Sequence, residues 1–439
     1  MDAILELRVV DGPLAVACWV LAVAGALYLL WADLAPRPRW RGLAFLAGAA
    51  VLAPAITLLV HWILVDVASV FPEDLPSEVL LDVGIGVFGI LLAVLCIVRL
   101  GRARRRWGRR IAAVGSALAV VFLAGQQINA YFGLNLTVGD LTGSSLSRII
   151  PLEPALERGG ATAVPLSGWR PPGDLPSTGE LRKVQIPNPA SGFAARDAYV
   201  YFPPAYSAAV RPELPVLVLM AGQPGGPADW LSGGQLRGRM DRFAREHDGV
   251  APVVVVVDPI GNPSFNTLCM DTKIAKAETY LVQDVAPWIK EHLSVSTDPS
   301  RWAAGGFSFG ATCSVQLLAK HPELFGSALA FAAEKEPALA KERSKTIDTA
   351  FDGDTAAFEA QLPAHFFAQG GHEGQFLFLA AGTRDPDFIA QAHVIADQAR
   401  GGGTEVHEEI VQGEGHSWEM IAKAMPVGLE MLAGRWGFP

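Results

Sequence analysis

Charge is scarce in this chain. Asp, Glu, Lys and Arg together make up 18% of its 439 residues, against 51% hydrophobic residues. A sequence this apolar is not disordered as a whole, because it can bury enough surface to offset the entropy of ordering. A basic surplus is also missing. The formal net charge is −9, and the Lys and Arg of the polar half form no groove-sized surface, which excludes a nucleic-acid-binding module. Cysteine is limited to four residues, too few for a disulfide scaffold. No H-E-x-x-H or comparable spacing accompanies His365 and His372, so neither a metal nor any other cofactor is expected. The length allows two or three domains.

Long apolar runs are what the chain has in excess, and all fall in the first 135 residues. They cover 13–32, 42–65, 82–98 and 111–130. Each reaches or approaches the ~20 residues that carry a helix across a bilayer. The loops between them are asymmetric. The first holds Arg37, Arg39 and Arg41, and the third holds Arg99, Arg102, Arg104, Arg105, Arg106, Arg109 and Arg110. The second holds Asp66, Glu73, Asp74, Glu78 and Asp82, with no Lys or Arg. Basic short loops stay in the cytoplasm. The pattern predicts a four-span transmembrane domain over 1–135, with both termini and all later residues outside the cytoplasmic membrane. The arginines of the third loop would also attract anionic lipid head groups. His61 and Asp66 sit near the outer end of the second span. Gln126, Gln127 and Asn129 either join helices or mark the outer boundary of the fourth.

Residues 136–180 are rich in Gly, Ser, Thr and Pro and read as a linker with short ordered pieces. From 181 to 439 short β-branched runs take over. They are Lys183–Ile186, Ala198–Phe202, Val216–Met220, Val253–Val257, Trp302–Gly306, Ala328–Ala332, Phe376–Ala380 and Glu405–Val411. Helical segments such as Ile274–His292 and Ala311–His321 alternate with them. Continuous apolar strands alternating with helices predict an α/β domain with a mainly parallel sheet covered on both faces.

Chemistry concentrates at three places in that domain. Gly306-Phe307-Ser308-Phe309-Gly310 is a G-x-S-x-G sequence between a predicted strand and a predicted helix, the arrangement that lifts a nucleophilic serine above a sheet edge. The triad order is then Ser, acid, His. The strand from Phe376 ends in Gly382-Thr383-Arg384-Asp385-Pro386-Asp387, so Asp385 is the candidate acid and Asp387 the alternative. His416 lies in the Gly-flanked Gly413-Glu414-Gly415-His416-Ser417-Trp418 near the end, where a base can reach back to Ser308. An oxyanion hole needs two backbone N–H groups. Phe309 follows the nucleophile, and Gln223 lies in the Gly-rich loop after Val216–Met220, where Pro224 has no N–H to give. His321, at a predicted helix end, is expected to be structural.

These segments resemble a known family. Glu278-Thr279-Tyr280-Leu281, Pro287-Trp288-Ile289, the Ser308 elbow, His321-Pro322-Glu323-Leu324-Phe325 and His416-Ser417-Trp418-Glu419 are similar to the esterase D / antigen 85 branch of the α/β-hydrolases. The resemblance covers roughly 180–435. It implies an α/β-hydrolase fold, serine-ester chemistry, and roles for Ser308, His416 and a carboxylate. Ala221 stands where the mycolyltransferases carry an acidic residue, and Asp385 where they usually carry Glu. Both departures, together with the four-span anchor, count against trehalose mycolyl transfer.

The expected function is a membrane-anchored serine esterase acting on lipid or envelope esters through an acyl-enzyme. An acyltransferase sharing that intermediate, or a non-catalytic membrane partner, are the alternatives. Cys18 and Cys96 fall in apolar spans and read as packing residues. Cys269 and Cys313 fall in the domain predicted to be exported, where an oxidising setting favours a bridge.

Overall fold

The structure, a computed structural model, describes residues 2–34, 39–100 and 107–439. Arg37, Arg102, Arg104, Arg105 and Arg106, on which the loop asymmetry partly rests, lie outside the described residues. The chain divides into two compact units, residues 1–145 and residues 146–439, the short stretch 340–342 grouping with the first.

In the first unit α1 (Gly12–Leu34), α2 (Arg39–Trp62), α3 (Ser77–Leu100) and α4 (Trp107–Phe132) are each long and apolar enough to cross a membrane. A helix of 24 residues such as α3 spans about 36 Å at 1.5 Å per residue. The third run is longer than the hydropathy predicts. It starts at Ser77 rather than at residue 82, because Ser77 and Glu78 suit a helix N-terminus. Large side chains such as Trp19, Leu27, Val51, Leu58, Val98 and Phe122 are exposed, an apolar surface of the kind that suits a bilayer. Between the helices, small residues allow close approach. A Cβ on Gly25 would stand 3.0 Å from Ser116 Cα, and one on Gly89 would stand 2.9 Å from Val120 Cγ1.

Several polar side chains of this unit have a partner among the described residues. Asp33, wholly buried, accepts from Arg99 Nη1 at 3.1 Å. His61 Nε2 lies 3.3 Å from Asp74 Oδ1. Gln126 Nε2 donates to Val9 O at 2.6 Å, and Asn129 exchanges hydrogen bonds with Asn135. Gln126 and Asn129 therefore fasten the carboxyl end of the fourth helix to neighbouring chain rather than joining two long helices.

The second unit is built on an eight-stranded sheet. Its strands are β1 (Glu180–Val184), β2 (Ala198–Phe202), β3 (Val216–Met220), β4 (Val253–Val257), β5 (Trp302–Phe307), β6 (Ser327–Phe331), β7 (Phe376–Gly382) and β8 (Glu405–Val411). The spatial order is 8-7-6-5-3-4-2-1, with β1–β2 and β2–β4 antiparallel and every other pair parallel. Strand β4 is five valines, all buried, as a strand covered on both faces requires. Side chains alternate between two cores. Val216, Val218 and Met220 of β3 enter one, and Leu217 and Leu219 enter the other. The covering helices are α5 (Leu236–Glu246), α6 (277–292, whose middle Tyr280–Val285 is a π turn), α7 (Phe309–Lys320), α8 (Pro386–Gly401) and α9 (Trp418–Trp436). A two-stranded ribbon, Thr162–Pro165 beside Val210–Glu213, was not legible in the sequence. Both of its strands contain proline, which the reading by β-propensity passes over.

The register aligns the carboxyl ends of the parallel strands. Met220 pairs with Gly306, Phe307 with Phe331, Phe331 with Ala380, and Gly382 with Val411. The loops leaving β3, β4, β5, β7 and β8 thus share one edge, where open α/β sheets bind ligands.

Candidate active site

Strand β5 passes into α7 through one residue, Ser308, whose backbone is forced to φ 55°, ψ −118°. Positive φ at a non-glycine residue costs on the order of 1–3 kcal/mol and survives only where its surroundings dictate it. Here they do. The Ser308 N–H donates to Phe331 O at 2.9 Å. A Cβ on Gly306 would fall 2.2 Å from Gly310 C, and one on Gly310 would fall 2.2 Å from Met220 O. Both glycines of the G-x-S-x-G sequence are therefore steric requirements of the turn. Ser308 sits at the amino end of α7, where the unpaired N–H groups of the first turn favour negative charge.

Residues 385 and 416 are brought together from two separate strands. His416 Nδ1 lies 3.2 Å from Asp385 Oδ2, with both side chains mostly buried. The imidazole is packed between Phe307 and Phe388, with ring centroids 4.7 and 4.6 Å away. The two loops are laced together by Thr383 N–H to Val411 O, Arg384 N–H to Glu414 O, and Gly413 N–H to Thr383 Oγ1. A Cβ on Gly382 would lie 2.2 Å from Glu414 O, so the histidine loop can rest on the end of β7 only because residue 382 is glycine. Asp387 is exposed in the first turn of α8 and has no hydrogen bond among the described residues. The structure thus brings Asp385, and not Asp387, to the histidine.

The loop after β3 passes over Ser308. A Cβ on Gly222 would be 3.4 Å from Ser308 Cβ. Gln223 follows it, and neither its N–H nor that of Phe309 makes a hydrogen bond among the described residues. Further along, Gly226 N–H donates to Asp229 Oδ2 at 2.8 Å. Burial raises the Asp229 carboxyl above its ordinary value, against the opposing pull of Gly226 N–H and Arg196.

Cys269 and Cys313 are joined, with Cα atoms 5.5 Å apart, within the usual disulfide span. Cys313 lies about one turn along α7 from Ser308, and Cys269 belongs to the loop after β4. Gln316 of α7 also donates to Leu268 O at 3.0 Å. Closing a loop with a sequence separation of 44 contributes about 4 kcal/mol in the chain-entropy model. Alkylation of the unreduced protein is expected to label neither residue, and both only after reduction. Two thiols labelled without reductant would contradict the bridge.

His321 is held at the end of α7 by Glu278 Oε1 at 2.9 Å and Glu323 Oε1 at 3.1 Å. Burial pushes its pKa down, but the two carboxylates outweigh this and leave it raised. This is a structural ion network with Lys320, away from the serine. His372 is buried and bonded to Gln375 Oε1 and Phe366 O. Cys18 is half-buried on α1, and Cys96 is buried on α3. The sequence reading missed Arg196 and Asp258, which meet beside the Gln223 loop. The available signal was an acid placed directly after the all-valine β4.

Residues 194–430 match the family described as Putative esterase. An uncharacterized protein of Corynebacterium glutamicum is 32% identical over 422 residues, covering 91% of each chain. Among solved structures, an S-formylglutathione hydrolase from Agrobacterium tumefaciens aligns with 60% of this chain and 98% of its own, at 18% identity and TM-score 0.49. A ferulic acid esterase from Anaeromyces mucronatus aligns with 62% of this chain and 97% of its own, at 16% identity and TM-score 0.44.

Proposed function

The chain belongs to the Putative esterase family of α/β-hydrolases, and from that membership we propose that it is a membrane-anchored serine esterase working outside the cytoplasmic membrane on lipid or envelope esters. The observation that carries the reading is the strained Ser308 at the sheet edge that also holds the His416–Asp385 pair.

The chemistry follows from the parts. His416 Nε2, the nitrogen not engaged by Asp385, accepts the Ser308 hydroxyl proton as Oγ bonds to the ester carbonyl carbon. Asp385 fixes the imidazole tautomer and stabilises its positive charge. The carbonyl electrons move to oxygen, and the N–H groups of Phe309 and Gln223 receive that oxyanion. When the oxyanion collapses, the C–O bond to the alcohol breaks and His416 returns the proton to the leaving oxygen. Water then attacks the acyl-enzyme with the same base, releasing the carboxylic acid and the serine.

Four apolar helices tether the hydrolase to a bilayer, where lipid esters are concentrated. The arginine-rich first and third loops and the acidic second loop support an outside position for the hydrolase unit. Protease added to spheroplasts is expected to degrade residues 181–439. Protection until the membrane is permeabilised would invert the topology. In the same preparations, ester turnover with added acceptor alcohols is expected to yield the free acid. Transfer of the acyl group to the alcohol as the main product would replace hydrolysis by acyl transfer.

A further inference from the structure

The loop that carries Gln223 has a support the triad does not account for. Strand β2 runs antiparallel to β4, so residues just before β2 return to the edge where Ser308 lies. Arg196 is there, and Asp258 follows β4 directly. The Asp258 side chain is 0% exposed. A buried carboxylate is costly unless all its acceptor sites are filled. Oδ2 accepts from Arg196 Nε at 2.8 Å and from Arg196 N–H at 2.8 Å. Oδ1 accepts from Arg196 Nη2 at 2.7 Å and from the N–H groups of Ile260 and Gly261, each at 3.2 Å. This two-point grip fixes the plane of the guanidinium.

The remaining nitrogen, Nη1, then bears on the oxyanion loop. A Cβ on Gly226 would fall 2.5 Å from it. On its other side the loop is held by Asp229. Gly226 N–H donates to Asp229 Oδ2, and a Cβ on Gly225 would lie 2.5 Å from the same oxygen. Gly225 N–H donates to Pro263 O at 3.1 Å, in the loop that Asp258 begins. The far end of the 221–226 loop is thus seated between Arg196, Asp229 and the β4 loop, while Gly222 rests over Ser308. An ion pair with a buried carboxylate is a weak source of stability compared with apolar packing of the same volume. What this one supplies is geometry.

We propose that Arg196, set in place by Asp258, is a positioning residue for the oxyanion hole, fixing through Gly226 the loop that presents the Gln223 N–H. The inference rests on the reading of Gln223 given above. An oxyanion donor acts only within about 2.7–3.1 Å of the developing charge, and loss of one costs about 10²–10³-fold in kcat.

The test uses the full-length protein in detergent and a p-nitrophenyl ester. R196A and R196K are expected to lower kcat about 10²-fold with KM within about twofold, since the lost contact acts in the transition state. Lysine cannot supply the fork, so R196K should not rescue, whereas millimolar guanidinium should restore part of the R196A rate. G226A probes the same contact from the loop side. Gly226 is fully extended at φ −179°, and the three atoms nearest an added Cβ all belong to the guanidinium. G226A should also lower kcat, and R196A/G226A should lose no more than either single variant, because removing Arg196 removes the clash. Strict additivity, a wild-type kcat in R196A, or a loss confined to KM or to the melting temperature without guanidinium rescue would overturn the proposal. A wild-type enzyme that forms no acyl-enzyme would be a different failure, falling first on the esterase reading and taking the grip with it.

Discussion

Ser308→Ala is expected to abolish ester hydrolysis in a protein that remains folded. The side chain removed is one oxygen at a turn whose shape is dictated by Gly306, Gly310 and the Ser308 N–H bond to Phe331 O, none of which the substitution touches. Alanine must adopt the same φ of 55°, as serine already does. Loss of a triad nucleophile costs about 10⁶-fold in kcat. The measurement is p-nitrophenyl ester turnover beside a melting curve. An active, folded alanine variant would remove Ser308 from the mechanism.

Asp385→Asn should have the second largest effect, about 10⁴-fold in kcat, because an amide holds the wrong imidazole tautomer and cannot stabilise the imidazolium. Asp387→Asn should stay within about twofold, as exposed positions without partners usually do. The contrast follows from the 3.2 Å contact between His416 Nδ1 and Asp385 Oδ2, against the exposed position of Asp387. Equal effects at 385 and 387, or the reverse ranking, would reassign the acid.

Much of the fold was legible because local rules and the global fold agree. The five-valine strand, the strand Glu405–Val411 and the strand-turn-helix around Ser308 can each be read from a window of ten residues. Boundaries moved where a terminus is decided by capping or pairing rather than hydropathy. Helix α7 starts at Phe309, two residues before its apolar run suggests, because the elbow residue itself is its cap. The first strand slides to Glu180–Val184 because its partners are Ala198–Phe202. The π turn in α6 leaves no trace in the apolar periodicity.

The candidate site divides the same way. Ser308 has a sequence signature of its own. The choice between Asp385 and Asp387 had none, since it depends on how a loop held by Thr383 and Gly382 meets one that starts 30 residues later. Arg196 and Asp258 are 62 residues apart and meet only through the antiparallel placement of β2 beside β4. No local pattern records that placement.

The most direct test is to trap the acyl-enzyme. The purified protein is mixed with a p-nitrophenyl ester, quenched in acid within the first turnovers, digested, and mapped by mass spectrometry. The account predicts a peptide carrying the acyl mass on Ser308, absent from Ser308→Ala and accumulating in the wild type when deacylation is slow. An acyl adduct on another residue, or turnover with no covalent adduct under any quench time, would contradict it.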